Sequence, residues 1–299
     1  MKQFLLKEEP VYSAKTAKGP AGGPGGCGCG VVKLRGEDYH YLVHVLRLKP
    51  GDVFNALLPN GLPVTVTVTG SSSHTLTGEI SAIAAAMAAA PAHVPAAETN
   101  SAPSAKFILF QALPKGAKMD LIVRQAAELG ISEVVPFAAE RSVPGIKARR
   151  QNREETGREE RWRRIVKEAR QQSGSCVDTR VLSPLGIDAL FAYWEKLRSV
   201  KSGDTGAVLG LIFHPLAQGN LHQYLYREPV ITVLAVGPEG GFSGAELDRF
   251  TSAGFKSLNL GDTVLRTETA ALYGAAAVKM ILMERSQWTL KQTWNESPS

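Results

Sequence analysis

The sequence predicts a two-part protein, a small β-rich unit followed by a larger α/β domain with a mostly parallel sheet. Three observations predict it. Leu62 to Thr69 (LPVTVTVT) alternates Val64, Val66 and Val68 with threonines, the period of a half-buried strand. From Lys106 onward, apolar runs of six or seven residues alternate with helical patterns, the signature of strand–helix–strand units. Between the two lies an Ala/Pro-rich stretch with few charges, broken by Pro91, Pro95 and Pro103. The expected division is residues 1–85, a linker over 86–105, and 106–290.

In the first part, Asp38 to Leu48 reads as a helix with Tyr41, Val45 and Leu48 on one face, and His40 and His44 one turn apart beside it. Lys49-Pro50-Gly51-Asp52 is a turn, Val53 to Leu58 a short strand, and Pro59-Asn60-Gly61 a second turn. Gly19 to Gly30 (GPAGGPGGCGCG) contains a formal G-x-G-x-G, but it follows no strand and opens no helix, so it reads as an insertion loop. The three cysteines, Cys27, Cys29 and Cys176, form no disulfide framework. Cys27-x-Cys29 has a spacing unusual for zinc and sits in a glycine tract, so no metal is expected.

In the second part, Lys106 to Ala112 is a strand ended by Leu113-Pro114-Lys115-Gly116. A helix runs from about Ala117 to Leu129 with Met119, Ile122, Val123 and Ala126 at helical spacing. Ile131 to Phe137 is a strand, Glu159 to Ser173 a helix, Thr179 to Leu182 a short strand, Ile187 to Leu197 a helix and Ala207 to Phe213 a strand. Val230 to Val236 and Phe255 to Leu260 complete the strands, a long alanine-rich helix follows, and Ile281 to Ser299 is expected to be a polar tail.

Charge is concentrated. The net charge is +6, and Arg141 to Arg180 carries 12 Lys and Arg against 6 Asp and Glu, so this segment holds the whole excess. It suits either a solvated, internally paired helix or a surface for phosphate backbones. No apolar run is long enough to span a bilayer, and the N-terminus lacks a secretory pattern, so a cytoplasmic protein is expected.

Two loops carry the chemistry. Gly237-Pro238-Glu239-Gly240-Gly241 breaks the buried run before it, and Ser243-x-x-Glu246 is a capping box for the next helix. The loop lacks the Gly-Lys-Ser/Thr of a phosphate loop, and it comes too late for a dinucleotide fingerprint. Glu239 would repel a pyrophosphate. An uncharged or cationic ligand held by backbone groups fits better. The second loop, Leu260 to Thr269, opens the long helix, with Thr267 as a candidate N-cap and Glu268 complementing the helix dipole. Both loops follow strands, where open α/β sheets bind ligands.

The pair V-G-P-E-G-G-F-S…E (236 to 246) and L-G-D-T-V-L-R-T-E-T-A (260 to 270) resembles the RsmE family, bacterial methyltransferases of the SPOUT class that modify a uridine at N3 in 16S ribosomal RNA. His40-Tyr-Leu-Val-His-Val-Leu-Arg47, Leu113-Pro-Lys-Gly116…Met119…Ala127-Glu-Leu-Gly130 and Glu140-Arg-Ser-Val143 agree with it. The resemblance implies a C-terminal SPOUT domain tied in a trefoil knot and an N-terminal PUA-like β-barrel. It implies S-adenosyl-L-methionine as cofactor, a homodimer as the working unit, and the small ribosomal subunit as partner. The cofactor would be held by Phe213, His214, Gly237, Pro238, Glu239, Gly240, Gly241, Leu260, Gly261, Leu265, Thr267, Thr269 and Ala270. RNA would meet His40, Arg47, Arg141, Arg149, Arg150, Arg163 and Arg164.

Removing the N3 proton of uridine is favoured by a nearby cation, a role that suits Arg266. Glu268 suits a base or orienter as well as a helix-dipole partner. Methylation at another RNA site is the nearest alternative. A non-catalytic RNA-binding module would leave both loops unused, and a Rossmann methyltransferase would carry its glycine loop after the first strand of its domain.

Overall fold

The computed structural model describes residues 4–6, 11–12, 30–59, 63–82, 106–142, 151–199, 208–214, 217, 219, 221–225 and 229–295. The expected linker lies wholly outside these residues, as do Cys27, Cys29, Arg149 and Arg150. The chain divides into two compact units, 1–100 with 170–178, and 101–169 with 179–299.

The first unit holds β1 (Phe4–Leu5), β2 (Val11–Tyr12), β3 (Gly30–Arg35), α1 (Gly36–His40), β4 (Val53–Leu57), β5 (Pro63–Ser71) and β6 (Thr75–Ala82). Its sheet runs β1-β4-β5-β6-β3-β2, antiparallel except for β1 beside β4. Val64, Val66 and Val68 point into the core with Val32, Leu34, Leu76 and Ile80, as the alternation predicts. The predicted helix needs correction. After α1 the chain makes a π-helical turn over Tyr41–Val45, closed by the Leu46 amide on the Tyr41 carbonyl. Five-residue bonding shifts the phase of the helix face. Leu42 is therefore the buried residue, and Val45 is 57% exposed. Arg47, just past the turn, adopts a left-handed φ of 57°.

The second unit holds β7 (Lys106–Ala112), α2 (Lys118–Glu128), β8 (Glu133–Ala138), α3 (Gln151–Ser173), β9 (Arg180–Val181), β10 (Leu185–Gly186), α4 (Ile187–Ser199), β11 (Val208–Phe213), α5 (Leu221–Tyr224), β12 (Ile231–Val236), α6 (Gly244–Ser252), β13 (Lys256–Leu258) and α7 (Thr267–Asn295). Its sheet is parallel, ordered β10-β8-β7-β12-β11-β13, with β9 beside β8. Both faces are covered, which explains why β7 and β12 read as continuous apolar runs. Along β7, Phe107 and Leu109 pack with α2, α3 and α7, whereas Ile108 and Phe110 pack with α4 and α6.

Two helices exceed their predicted length. α3 begins at Gln151, so much of the arginine-rich segment is helix. α7 continues to Asn295, so the expected polar tail from Ile281 is largely helical. Between Gly274 and Asn295 there is neither glycine nor proline, and nothing in the sequence stops propagation.

Candidate functional site

The parallel order places four loops at one edge of the sheet. β12, β11 and β13 are neighbours, and their carboxyl ends release the chain at Gly237, His214 and Asn259. β7, on the other side of β12, releases Leu113 to Ala117. This edge is where an open α/β sheet takes its ligand.

The Gly237 loop and the start of α7 are tied by one hydroxyl. The expected N-cap role of Thr267 is overturned, because Thr267 is already the first helical residue and its Oγ1 donates to the Gly237 carbonyl at 2.6 Å. The same oxygen accepts from Gln111 Nε2 at 3.1 Å, and Gln111 Nε2 also reaches the Ala112 carbonyl at 2.9 Å. Gln111 is fully buried at the end of β7, and its Oε1 has no hydrogen-bond partner. Three chain segments thus converge on one polar point in an otherwise apolar interior, where an unmade hydrogen bond is costly.

A second junction is ionic. Glu239 Oε1 accepts from the Lys115 amide at 3.1 Å and from Lys118 Nζ at 2.9 Å. Lys118 Nζ also lies 3.2 Å from Glu268 Oε2, an ion pair without hydrogen-bond alignment. Partial burial pushes the Glu239 carboxyl up, but the bond from Lys118 and those from backbone amides outweigh it and hold it below the usual carboxylate range. The bond to Glu239, opposed by desolvation and supported by Glu268, raises the Lys118 ammonium. Two carboxylates share one ammonium, a negative excess confined to the Lys118 cluster, with the Arg141 guanidinium on the Gly240 carbonyl and Arg266 two residues before Glu268.

The capping box on α6 forms as predicted, Ser243 and Glu246 bonding each other's backbone amides. Glu246 also accepts from the Glu140 amide at 2.8 Å. Arg141 then reaches over to donate to the Gly240 carbonyl at 3.0 Å. Arg141 therefore braces the glycine loop, a placement its sequence position in the arginine-rich segment did not suggest.

Of the other expected cofactor residues, Phe213 packs on Gly274, where an added Cβ would collide with its ring. His214 and Leu260 are half-buried at the ends of β11 and β13, and the His214 amide bonds the Leu258 carbonyl. Gly261, at φ 117°, supplies a turn that a side chain would strain. Pro238 and Ala270 are buried, Leu265 is half-buried, and Thr269 is exposed. Arg266 is exposed and, among the described residues, forms no ion pair.

The expected RNA residues are scattered. Arg163 and Arg164 are exposed on α3, Arg163 lying 3.7 Å from Glu159. His40, with its ring 4.9 Å from that of His44, and Arg47 are exposed in the first unit. Among the described residues no cluster of metal-binding side chains occurs, and no helix is long and apolar enough to cross a membrane. Gln111, Lys115 and Lys118 were missed by sequence reasoning. Lys115 and Lys118 stand within the Leu113 to Met119 motif, but nothing local marks them as ligands of Glu239.

A family model described as an RNA methyltransferase domain matches residues 100–279, and one described as an RNA methyltransferase PUA domain matches residues 34–81. The chain is 26% identical over 253 residues to the ribosomal RNA small subunit methyltransferase E of Bacillus subtilis (strain 168), covering 82% of this chain and 88% of that protein. To the protein of the same name from Synechocystis sp. it is 29% identical over 253 residues, covering 84% and 73%. Among solved structures, the ribosomal RNA small subunit methyltransferase E from Neisseria gonorrhoeae bound to S-adenosyl methionine matches with a TM-score of 0.67 at 25% identity, covering 94% of this chain and 98% of that one.

Proposed function

The chain belongs to the RNA methyltransferase family, and from that premise we propose that it methylates N3 of a uridine in 16S ribosomal RNA, with S-adenosyl-L-methionine as methyl donor. The observation that carries this reading is the Thr267 hydroxyl, which ties the loop after β12 to the loop after β13 at the carboxyl edge of two parallel strands that flank β11. The donor set fits the cofactor. A polyphosphate would meet Glu239 and Glu268, which share Lys118, whereas a sulfonium cation is favoured beside that pair of carboxylates. Backbone groups of Gly237 to Gly241 and of Leu260 to Ala270, with Phe213 and His214 at the end of β11, would hold it. When bound, it supplies an electrophilic methyl group.

The remaining chemistry falls to the protein. Arg266, exposed and unpaired at the rim, lowers the cost of the uridine anion that must form as N3 loses its proton. Glu268, held by Lys118 beside it, orients the acceptor or takes that proton. Loop bracing by Thr267, Glu246 and Arg141 keeps the two reactants aligned, where a small misplacement costs much of the rate.

On the same reading the C-terminal unit is a trefoil knot, a rare exception to unknotted connectivity. In support, β13 follows β12 in sequence yet pairs with β11. The N-terminal unit grips RNA, two chains pair as the working unit, and the enzyme acts on small ribosomal subunits in the cytoplasm. The test is mass mapping of methylated uridines in small-subunit RNA from a strain lacking the gene, with and without the protein restored. One N3-methyluridine should return; an unchanged methylation map would overturn the proposal.

A further inference from the structure

Beside the Leu113 to Ala117 loop lies an open groove of about 640 Å³, lined on its other side by Gly157, Arg158, Arg161 and Trp162. One wall is the Leu113 to Ala117 loop and the first turn of α2, and the other is α3. The loop that forms this wall also provides the Lys115 amide that holds Glu239, so the groove adjoins the proposed cofactor edge.

Its lining combines an apolar wall with a cationic one. The loop wall presents apolar surface from Leu113, Pro114 and Ala117. The α3 wall presents two guanidinium groups. Arg161 is anchored by Asp120, which also accepts from the Trp162 indole N–H at 3.2 Å. Arg158 is half-buried and, among the described residues, has no carboxylate partner. The volume lies within the range of small-molecule sites.

Gly157 supplies an independent observation. Glycine in a helix interior destabilises it relative to alanine. At Gly157 an added Cβ would meet nothing within 4 Å, so packing within the protein does not require the missing side chain. Yet this residue lines the groove. The groove therefore has bare helix backbone at Gly157, open to the close approach of a ligand.

We propose that this groove receives one nucleotide of the RNA strand next to the methylation site, its phosphate held by Arg158 and Arg161 and its sugar or base lying over Gly157. The proposal rests on the methyltransferase reading above. It also separates the arginines of α3, assigning the phosphate to Arg158 and Arg161 rather than to Arg163, which faces Glu159.

The test uses the full chain, small-subunit RNA transcribed in vitro, and three variants, Gly157→Ala, Gly157→Leu and Arg158→Ala, with Arg198→Ala as a surface control on α4. Gly157→Ala should raise Tm by roughly 2–4 °C and weaken RNA binding about 3-fold. Gly157→Leu should weaken it at least about 10-fold. Arg158→Ala should lower the slope of log affinity against log salt by about 1, and Arg198→Ala should leave it unchanged. Calorimetric affinity for S-adenosylmethionine should stay at the wild-type value in all of them. Unchanged RNA affinity in Gly157→Leu, or an unchanged slope in Arg158→Ala, overturns the proposal. Because binding is read without turnover, failure of the methyltransferase reading shows separately, as wild type that binds RNA but leaves it unmethylated.

Discussion

The two ends of the parallel sheet each carry a lysine–glutamate cluster, and they differ in what surrounds them. At the amino edge, Lys106 and Glu133 are the first residues of β7 and β8, and their side chains meet at 2.6 Å. The Tyr193 hydroxyl donates to the other Glu133 oxygen. Burial pushes the Glu133 carboxyl up, the bonds from Lys106 and Tyr193 pull it down further, and the net shift is downward; burial and Glu133 together push the Tyr193 phenol well up. Every member is fixed by regular structure. At the carboxyl edge, Lys118 bridges two carboxylates that come from loops or a helix start, and one carboxylate oxygen stays without a hydrogen bond. The same residue types hold strands in register at one edge and leave charge available at the other. Strand direction, which puts all loops with ligand geometry at the carboxyl end, decides which cluster can act on a substrate.

The comparison is broken most severely at Arg266. Arg266→Ala should lower kcat by at least about 100-fold, or about 2.7 kcal/mol, the scale of losing one charge-stabilising donor. Affinity for S-adenosylmethionine should remain within a few-fold, and the melting temperature should not move. Full activity in this variant removes Arg266 from the mechanism. The mirror experiment is Glu133→Ala at the other edge. It strands the Tyr193 hydroxyl and a partly exposed Lys106, and should cost about 1–3 kcal/mol in urea denaturation while kcat and KM stay at wild-type values. A kinetic defect without a stability loss would erase the distinction between the edges.

Thr267 tests whether the carboxyl edge depends on its polar lock. Thr267→Val deletes the donor to Gly237 and the acceptor for Gln111, and should weaken S-adenosylmethionine binding about 10-fold, about 1.4 kcal/mol. Thr267→Ser should restore it. If serine and valine behave alike, the hydroxyl is not what holds the loops.

What the sequence revealed follows the range of the interaction. The predicted strands and the α6 capping box rest on patterns within ten residues, and these formed where expected, whereas β1, β2, β3, β6 and β10 were not predicted. Lys118 and Glu239 are 121 residues apart, and Gln111 and Thr267 are 156 apart. No local pattern carries such pairings, so Thr267 read as a helix cap and Gln111 as one more residue of a strand. α3 began eight residues earlier than its apolar stripe implied, because its first turns are polar and left no periodicity to detect. The π turn after His40 escaped for a different reason. A five-residue bond has no composition signature, and it turned Val45 outward against its hydrophobicity.

The smallest expected effect concerns pH. Glu239 has a carboxyl held below its ordinary value of 4.5, so its contribution to stability is present above that value and is lost as acid protonates the folded form. Lys118 is raised above 10.5, so its contribution is complete below that pH and fades only in stronger alkali. Between about pH 5.5 and 9 both are charged in folded and unfolded chains alike, and the clamp should add a constant, small increment. Glu239→Gln should therefore melt slightly below wild type by the same margin across that window. The margin should narrow as pH falls below 4.5 and close once acid has protonated the folded carboxyl too. A margin that widens toward acid would mean that the protonated carboxyl, not the carboxylate, holds Lys115 and the loop, and the charge contrast between the two edges of the sheet would have to be redrawn.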